Sequence, residues 1–443
     1  MSHHQQMKPL QHVSGEPSIK VLTNQEHSML RAQITNSALK VISQLQQSGF
    51  QSYLVGGGVR DLLLGNKPKD FDIATDATPE EVRKIFRNCR LIGRRFRLAH
   101  VFFGNEIIEV ATFRGSPREG NSLATLKADS GILLRDNVYG SISEDANRRD
   151  FTINAMYYNA TSCSIRDYTY GMEDLGKQLV RLIGDPEVRY REDPVRMLRA
   201  IRFSVKLRFD IEEKTAEPIR RLSCLLHHVP SARLYEEYLK MIQSGTGLET
   251  YHLMRKYGLF QELFPLIAYH FTSNHSSDVE KMLDKTFYLI DSRFREGRRP
   301  NIAFVFAAIL WYPMKNKTSE IRKKKVAYHS IVEASSSWLN QVVEVLSIPR
   351  RHTVAIREIW QLQLRFLRRC GKQAFRLLEV KKFQLGFSFL KVRGSLEGGE
   401  TQELANWWVA FRSADQAERQ SMVSRINLLE SHKKKQPSKK INA

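Results

Sequence analysis

Several features that mark membrane or secreted proteins are scarce in this sequence of 443 residues. The longest apolar stretch, 303–312, is too short to span a bilayer and predicts a buried core helix. The first twenty residues contain no continuous apolar segment, so we expect no secretory signal. The four cysteines are widely scattered without CxxC spacing, which argues against a zinc site or a disulfide framework. These absences favour a reducing, cytoplasmic location.

Acidic residues are also in deficit. Lys and Arg number 69 against 47 Asp and Glu, which gives a formal net charge of +22. A charge of this size favours a polyanionic partner and predicts binding that weakens as salt is added. Charge alone leaves nucleic acid and an anionic membrane surface as alternatives.

The hydrophobic patterns indicate an α/β first part and a helical second part. A helical pattern covers 26–49, and Thr78 with Pro79 predicts the start of a helix that ends at 86. Apolar runs predict strands at 52–55, 71–74, 100–103 and 107–113. We expect a mobile loop at 114–131 and mostly helices beyond about 190.

The strongest local signal is LVGGGVRDLLLGNKPKDFDIAT, at 54–75. Gly56, Gly57 and Gly58 follow an apolar strand, and glycine lets the backbone turn sharply and approach a ligand with its amide groups. The spacing matches neither G-x-x-x-x-G-K-[ST] nor G-x-G-x-x-G, so it indicates neither a Walker loop nor a dinucleotide fingerprint. By itself, the glycine run indicates a tight turn.

Asp70 and Asp72 make this segment a candidate metal site. They lie two apart in a predicted strand, so both carboxylates point to one face. Two like charges side by side are unfavourable unless a cation compensates them. Mg²⁺ prefers a few carboxylates with water and substrate phosphates, and two ions about 3.5–4 Å apart can activate a hydroxyl and stabilise a leaving pyrophosphate. With the glycines upstream, we favour a metal site over a solvated acidic pair.

The same segment resembles motif A of the class II tRNA nucleotidyltransferase and bacterial poly(A) polymerase family, within the polymerase-beta-like superfamily. The resemblance rests on Leu54, Val55, Gly56, Gly57, Val59, Arg60, Asp61, Leu64, Gly65, Asp70 and Asp72. It implies that Asp70 and Asp72 bind two Mg²⁺ ions. It also implies that Gly56, Gly57 and Arg60 hold the triphosphate of an ATP substrate.

The resemblance further implies an α+β fold. A small nucleotidyltransferase head, with a mixed sheet and helices, would precede an all-α neck, body and tail region. The segments we expect are a flexible tail at 1–25, a catalytic head at 26–160, a neck with a nucleotide-selecting helix at 161–225, a helical body and RNA-binding region at 226–430, and a disordered basic tail at 431–443.

A second block, EDANRRDFTINAMYY at 144–158, resembles the RRDFTIN element of this family. Arg148 and Arg149 suit a triphosphate because guanidinium groups bind phosphate in a planar fork. Asp150 begins a predicted helix, where it could serve as N-cap. The resemblance implies a different role for Asp150, as third catalytic acid or ribose contact. Glu109 competes for the role of third acid if its strand lies beside that of Asp72; we favour Asp150 because its motif is stronger.

A third block, RYREDPVRMLRAIRF at 189–203, resembles the EDxxRxxR element of the family. Asp193 and Pro194 predict the N-cap and first position of a helix. At about 100° per residue, an acid and two arginines share about a third of its circumference. The pattern alone favours a solvated, ion-paired face. The resemblance implies instead that this helix selects the incoming nucleotide through Glu192, Asp193, Arg196 and Arg199.

The segment GRRFRLAHV, at 93–101, resembles the pattern typical of bacterial poly(A) polymerases, and it is the reason to prefer ATP over CTP. The resemblance implies a template-independent polynucleotide adenylyltransferase that adds AMP to single-stranded RNA 3′ ends, in mRNA and other transcripts, and so promotes RNA processing and decay. A tRNA CCA-adding enzyme is the alternative. A non-catalytic RNA-binding protein is more remote, because binding alone needs no pair of metal-binding aspartates.

Basic residues of the helical half are weaker candidates for RNA binding. They are the run 322–325 and Arg350, Arg351, His352, Arg365, Arg368, Arg369 and Lys372, interleaved with Trp360 and Phe366. A single-strand channel would combine such arginines with stacking aromatics. The helical pattern favours the other interpretation, with the aromatics in the core and the arginines on solvated faces.

Overall fold

The computed structural model describes residues 19–93, 97–115, 125–127, 133–136, 138–271, 276–322 and 327–435. The chain forms two compact units, Met1–Leu222 and Ser223–Ala443. The first unit contains the α/β part, and the second unit is helical. Among the described residues, no helix is long and apolar enough to span a membrane.

In the part of the chain that the structure describes, the strands lie in the first unit. They are β1 (Lys20–Leu22), β2 (Ser52–Val55), β3 (Asp72–Thr75), β4 (Cys89–Ile92), β5 (Leu98–Phe103), β6 (Glu106–Thr112), β7 (Thr125–Lys127), β8 (Leu133–Asp136), β9 (Met156–Asn159), β10 (Ser164–Asp167), β11 (Leu179–Val180) and β12 (Asp210–Ile211).

The helices of this unit are α1 (Asn36–Gln47), α2 (Gly57–Leu63), α3 (Pro79–Ile85), α4 (Ile142–Arg148), α5 (Gly171–Gly176), α6 (Pro186–Glu192), α7 (Val195–Leu207) and α8 (Glu213–Leu222). Single 3₁₀ turns occur at Arg31–Gln33 and Thr152–Asn154.

Eight of the described strands form one mixed sheet in the order β1-β10-β9-β2-β3-β6-β5-β4. The pair β3–β6 is parallel, and the other neighbours are antiparallel. The central strand β2 is buried along its whole length, as the apolar run at its position predicts. Aromatic side chains pack beside it, with Tyr53, Phe113, Tyr157 and Tyr168 in one core cluster.

Local signals fix the helices that flank the sheet. Thr35 caps α1, whose apolar residues Ala38, Val41 and Leu45 are buried. Thr78 and Glu81 form a capping box at the start of α3, and Pro79 takes its first position. Both helices therefore begin where a side-chain oxygen can satisfy the free N–H groups of the first turn.

The second unit consists of helices. They are α9 (Ser231–Ile242), α10 (Gly247–Lys256), α11 (Leu259–Leu263), α12 (Pro265–Ala268), α13 (Ser276–Arg295), α14 (Ile302–Ile309), α15 (Trp311–Arg322), α16 (Ala327–Val345), α17 (Arg350–Phe366), α18 (Lys372–Leu378), α19 (Phe383–Glu397), α20 (Gly399–Ser413) and α21 (Gln416–Lys435). The 3₁₀ segments Ser223–His228 and Tyr269–Phe271 complete it.

The apolar stretch at 303–312 lies in the core of this unit, as predicted. Trp360 and Phe366 are also fully buried, and the Trp360 indole N–H donates to the Ala307 carbonyl at 3.0 Å. The interpretation of these two aromatics as core residues is confirmed. The basic run at 322–325 lies outside the part of the chain whose side chains the structure describes.

The predicted α+β architecture is confirmed, and several predicted boundaries need correction. The head does not end at 160, because β10 (Ser164–Asp167) pairs with β9 and β1 in the main sheet. The segment 161–225 is not all-α, since it also contains the parallel pair β11–β12.

The predicted terminal tails and mobile loop also differ from the structure in part. Residues 20–22 of the predicted N-terminal tail form a strand, and 431–435 of the predicted basic tail continue α21. The short strand β7 lies within the expected loop at 114–131 and pairs with β8, just beyond it. The rest of the two tails and most of 116–132 lie outside the described residues.

Candidate active site

The glycine turn connects β2 to α2 and lies beside a carboxylate and an arginine. Gly56 has φ 72° and ψ −140°, a conformation that residues with a side chain rarely adopt. A Cβ at Gly56 would lie 3.7 Å from both Asp72 Oδ2 and Arg149 Nη1. Any larger side chain here would fill the space between these two groups.

Adjacent strands place three polar side chains in one row. Asp72, the first residue of β3, pairs in register with Glu109 of the parallel strand β6. Glu109 in turn pairs with His100 of β5, and the His100 Nε2–Glu109 Oε2 distance is 3.3 Å. In-register neighbours on adjacent strands point to the same face, so Asp72 and Glu109 share a face next to the glycine turn.

Asp70 lies two residues before β3 begins and is exposed, whereas Asp72 is partly buried. The pKa of Asp72 rises to about 6 because the side chain is partly buried and Glu109 and Asp70 are both negative, with Arg149 opposing the shift. Negative charge concentrated in this way favours binding of a cation. The strand predicted at 71–74 is confirmed within one residue.

These donors fit Mg²⁺ held by carboxylates together with substrate phosphates. Mg²⁺ is commonly bound through one or two carboxylates plus phosphate oxygens, and not by a complete protein cage. Among the described residues, no group of three or more His, Cys, Asp or Glu is arranged to hold a metal ion.

Asp150 is held by different partners from those of Asp72. Arg199 Nε donates to Asp150 Oδ2 at 2.6 Å, and the Phe151 amide donates to Oδ1 at 2.8 Å. The Asn154 amide group adds a third hydrogen bond at 3.3 Å. Although burial raises the pKa of Asp150, the Arg199 ion pair and these hydrogen bonds lower it to about 2.

The predicted helix that starts at Asp150 is a single 3₁₀ turn, Thr152–Asn154. Asp150 therefore lies between this turn and the end of α4, where its carboxylate binds the turn and Arg199. The charges that shift the pKa of Asp72 are those of Glu109, Asp70 and Arg149. The structure thus brings Glu109 next to Asp72, and the catalytic role of Asp150 stays a prediction.

Arg149 is fixed by a buried network. Arg149 Nε donates to the Tyr157 hydroxyl at 2.9 Å, and Nη2 donates to Asp145 Oδ2 at 3.2 Å. The Tyr157 hydroxyl donates to the same Asp145 oxygen at 2.6 Å. The network keeps the Arg149 guanidinium charged, and its Nη1 faces the glycine turn.

Arg60 lies at the other side of the glycine turn and is buried. Its guanidinium donates to Asp61 Oδ1 and, at 2.5 Å, to Asn154 Oδ1. A Cβ at Gly57 would lie 3.3 Å from Arg60 Nη2, so this guanidinium flanks the turn. Asn154, which also donates to Asp150, connects Arg60 to the RRD block.

Arg148 belongs to a cluster of arginines around Glu192. Burial and the positive charges of Arg114, Arg189 and Arg196 lower the pKa of Arg148 to about 10, while Glu192 opposes the shift. The Arg148 Nη1 donates to the Gly115 carbonyl. Guanidiniums that lie close enough to lower one another's pKa favour binding of an anion.

Arg189, which our sequence analysis did not single out, joins the second and third blocks. Its guanidinium donates to the carbonyl oxygens of Arg148 and Arg149 at 2.7 and 2.8 Å, and to Glu192 Oε2 at 2.8 Å. Arg196 donates to the same Glu192 oxygen at 3.2 Å. The "solvated" face expected from the pattern is therefore an ion-paired, largely buried face.

Asp193 lies between two helices and not at the N-cap that the pattern predicts. It ends α6, Pro194 takes the N-cap position of α7, and the Val195 amide donates to Asp193 Oδ1 at 3.3 Å. Arg199, about one helical turn after Arg196 on α7, donates a hydrogen bond to Asp150. The structure thus pairs Glu192 with Arg196, and it pairs Asp150 with Arg199.

Three family models match the chain. The Poly A polymerase head domain matches residues 52–181, the Probable RNA and SrmB-binding site of polymerase A matches 208–271, and the Polymerase A arginine-rich C-terminus matches 323–441. Poly(A) polymerase I of Salmonella typhi is 49% identical over 93% of this chain and 90% of its own length. The chain belongs to the poly(A) polymerase I family.

Other members of the poly(A) polymerase I family are similarly close. Those of Escherichia coli and Haemophilus influenzae are 49% and 47% identical over 93% and 90% of this chain. The CCA-adding enzyme of Bacillus velezensis is more distant, at 38% identity over 52% of this chain and 56% of its own length.

Solved structures of lower identity share the fold. A tRNA-processing enzyme in an apo form aligns with a TM-score of 0.59 and 24% identity, over 89% of this chain and 97% of that one. The Bacillus stearothermophilus CCA-adding enzyme in complex with CTP aligns with a TM-score of 0.55 and 24% identity, over 83% and 80%. At these identities the likeness concerns the fold alone.

Proposed function

We propose that this chain is a polynucleotide adenylyltransferase that adds AMP from ATP to RNA 3′ ends without a template and releases pyrophosphate. The observation that carries the proposal is the in-register pair Asp72–Glu109 beside the Gly56 turn and Arg149. Phosphoryl transfer needs groups that bind metal ions and groups that bind phosphate. The carboxylates would serve the first purpose, and the glycine turn with the arginine would serve the second.

Asp70 and Asp72 are the residues that we propose hold two Mg²⁺ ions, with Glu109 as third acid. When bound, the ions would lower the pKa of the RNA 3′-hydroxyl and neutralise charge on the leaving pyrophosphate. Glu109 is preferred to Asp150 because it faces Asp72, whereas both Asp150 oxygens are engaged by Arg199, Phe151 and Asn154. In this proposal Asp150 positions Arg199.

The arginines and the glycine turn would bind the triphosphate. Gly56 and Gly57 leave space for phosphate oxygens next to the guanidiniums of Arg149 and Arg60. Arg148, among other arginines, adds positive charge. Because these groups are already ordered by buried hydrogen bonds, little conformational entropy is lost on binding, and catalysis is mainly positioning and charge neutralisation.

The faces of α6 and α7 would select the base. Glu192 and Asp193 offer acceptors, while Arg196 and Arg199 offer donors in a planar fork, which suits the hydrogen-bonding edge of a base. The ion pairs Glu192–Arg196 and Arg199–Asp150 would fix which edges are presented. We propose that no nucleic-acid template takes part in this selection.

The extent of the relationships supports ATP and poly(A) addition over CCA addition. The poly(A) polymerase I relatives match over nine-tenths of the chain, whereas the CCA-adding enzymes match at lower identity over about half of it. The matched 208–271 and 323–441 regions support RNA as the polymer substrate. We also propose that the chain acts on single-stranded mRNA and other transcripts in the cytoplasm.

A primer-extension assay tests this proposal. Purified protein and Mg²⁺ are incubated with a labelled generic RNA or with a tRNA that lacks its 3′ CCA, each with ATP, CTP or both. We expect a long ladder on generic RNA with ATP alone. A discrete three-nucleotide extension of the tRNA that requires CTP would contradict poly(A) addition and identify a CCA-adding enzyme.

A further inference from the structure

A cavity of 780 Å³ lies within the second unit, between α13, the start of α14 and α19. Its volume is within the ~300–1,000 Å³ range of ligand pockets. Six basic side chains line it, and no acidic residue does: Lys285, Arg293, Arg298, Lys381, Lys382 and Lys391. None of them belongs to the nucleotide site of the first unit.

Acidic side chains of the same helices bind elsewhere, and Glu280 and Asp284 of α13 pair with Arg255 and His252. Asp291 of α13 accepts hydrogen bonds from the backbone amides of Gly247 and Leu248, at 2.6 and 2.9 Å. Glu397 of α19 forms an ion pair with Arg393 at 2.8 Å. These carboxylates therefore do not neutralise the cavity.

The cations of the cavity are largely uncompensated. Arg298 pairs with Glu296 at 3.5 Å, and both side chains are largely exposed. Within the described ranges, none of the other five has an acidic partner. Several like charges around one cavity favour an anionic ligand, because such a ligand relieves their mutual repulsion.

The shape of the cavity favours an extended ligand with apolar parts. Lys285 and Arg293 lie two turns apart on α13, which is about 12 Å. Between the charges is an apolar floor of Leu289, Ile290, Phe304, Val305, Leu385 and Val392. Phe304 is only partly buried and packs edge-on against Phe389, with its ring centroid 5.9 Å away. Nucleic-acid bases offer a flat face to such a surface.

We propose that this cavity binds the phosphate backbone of single-stranded RNA, with one or more bases against its apolar floor. The inference rests on the proposed function, in which RNA is the polymer substrate. An acidic protein segment is the alternative ligand for these cations, and the test below distinguishes it from RNA. Phosphate contacts carry no sequence information, so the cavity would accept RNA of any sequence.

The test compares two double variants with equal loss of charge. Lys285→Gln with Lys391→Gln removes one cation from each of two walls. Lys84→Gln with Lys281→Gln, at exposed positions outside the cavity and outside both matched regions that support RNA binding, is the control. Fluorescence anisotropy measures the Kd of a labelled single-stranded RNA at several salt concentrations, and steady-state kinetics measures AMP incorporation.

We expect the cavity variant to bind RNA about tenfold more weakly than the control variant. Its log Kd should also depend less steeply on log salt, by about 1.4, since each phosphate contact on a single strand contributes about 0.7. The rate at saturating RNA should not change. Equal Kd values for the two variants, in a protein that extends RNA with ATP, would overturn the inference.

Two further results keep the tests separate. A wild-type protein that does not extend RNA with ATP would contradict the proposed function, whatever the cavity binds. A cavity variant that loses affinity for polyglutamate but keeps its RNA affinity would show a protein site and overturn the RNA proposal. If the cavity variant melts at a lower temperature than the wild type, thiouridine-labelled RNA is photo-crosslinked to the wild-type protein instead. Crosslinks that contain no α19 peptide would contradict the inference.

Discussion

Asp72 and Asp150 are both carboxylates of the first unit, and their surroundings act on them in opposite directions. Glu109 and Asp70 raise the pKa of Asp72 in a partly buried position, whereas Arg199 and two hydrogen bonds lower that of Asp150. A carboxylate with surplus negative charge is suited to a cation, and one with every oxygen engaged is suited to holding a side chain in place.

The first prediction concerns the stability that Asp150 supplies. Asp150→Asn should lower the free energy of unfolding by about 2 kcal/mol, because the folded-state pKa is near 2 and the ordinary value is 3.8. Since the folded pKa is depressed, this stability is present above the ordinary pKa and is lost as pH falls towards 2. Urea unfolding at neutral and acidic pH measures it.

Glu187→Gln is the matched control for Asp150→Asn. The pKa of Glu187 is also lowered to about 2, by hydrogen bonds from Arg221 and Arg191, but this ion pair lies at the surface. Solvent screens such pairs, so the substitution should change stability far less. Equal losses for the two variants would contradict the buried role of Asp150.

The second prediction concerns the network behind Arg149. Tyr157→Phe removes the hydroxyl that bonds both Arg149 and Asp145, and should cost about 1–2 kcal/mol of stability. It should also lower kcat/KM for ATP about tenfold, because the arginine loses its fixed position. Tyr53→Phe, in the same cluster but with its hydroxyl on Gln51, is the control and should keep ATP kinetics unchanged.

At the scale of elements, the glycine turn joins β2 to α2 next to Arg149, a side chain that we propose binds phosphate. The third prediction is that Gly56→Ala lowers stability by about 1–3 kcal/mol, because alanine is strained in this conformation, and also lowers activity. Gly65→Ala meets a similar φ of +73° with no atom within 4 Å of its Cβ. It should lower stability without lowering AMP incorporation; a parallel loss of activity in both variants would count against the turn's role.

Elements with local signals were predictable, and elements made by distant pairing were not. The start of α3 at Thr78 and Pro79 and the apolar runs of β2, β3, β5 and β6 lie where the sequence predicts them, within one or two residues. The strand β1 is three residues long and exists through its pairing with β10. Such a strand has no pattern of its own, because tertiary pairing decides it.

The residues of the candidate site could be named from the sequence, but the side chains that they contact could be predicted only in part. The motifs pointed to Asp72, Arg149 and Arg199, whereas our proposal of Glu109 in place of Asp150 as third acid rests on the β3–β6 register. Arg189 was missed because an arginine next to a helix end is usually solvated. The sequence did hold a sign of the buried role of Arg189: its block, 189–203, contains more arginines than its two acids could pair with at a surface.

For the whole molecule, the surplus of basic residues gives the fourth prediction. With a net charge of +22, KM for RNA should rise steeply with salt, because each phosphate contact releases condensed counterions. KM for ATP should rise less, since a nucleotide has few charges and its proposed site is partly buried. Initial rates across a salt series measure both, and a KM for RNA that does not respond to salt would contradict a charge-driven substrate interaction.

The central proposal is that Glu109 is the third catalytic acid beside Asp70 and Asp72, and single-turnover AMP incorporation with Mg²⁺ tests it most directly. Asp72→Asn, Glu109→Gln and Asp150→Asn are compared with Glu106→Gln, a control on the same strand as Glu109 whose amide can still accept from Thr35. We predict that the first two lose about 100-fold or more, that Asp150→Asn loses less, and that the control is active. A Glu109→Gln variant at the wild-type rate, beside an inactive Asp150→Asn that remains folded, would contradict the claim.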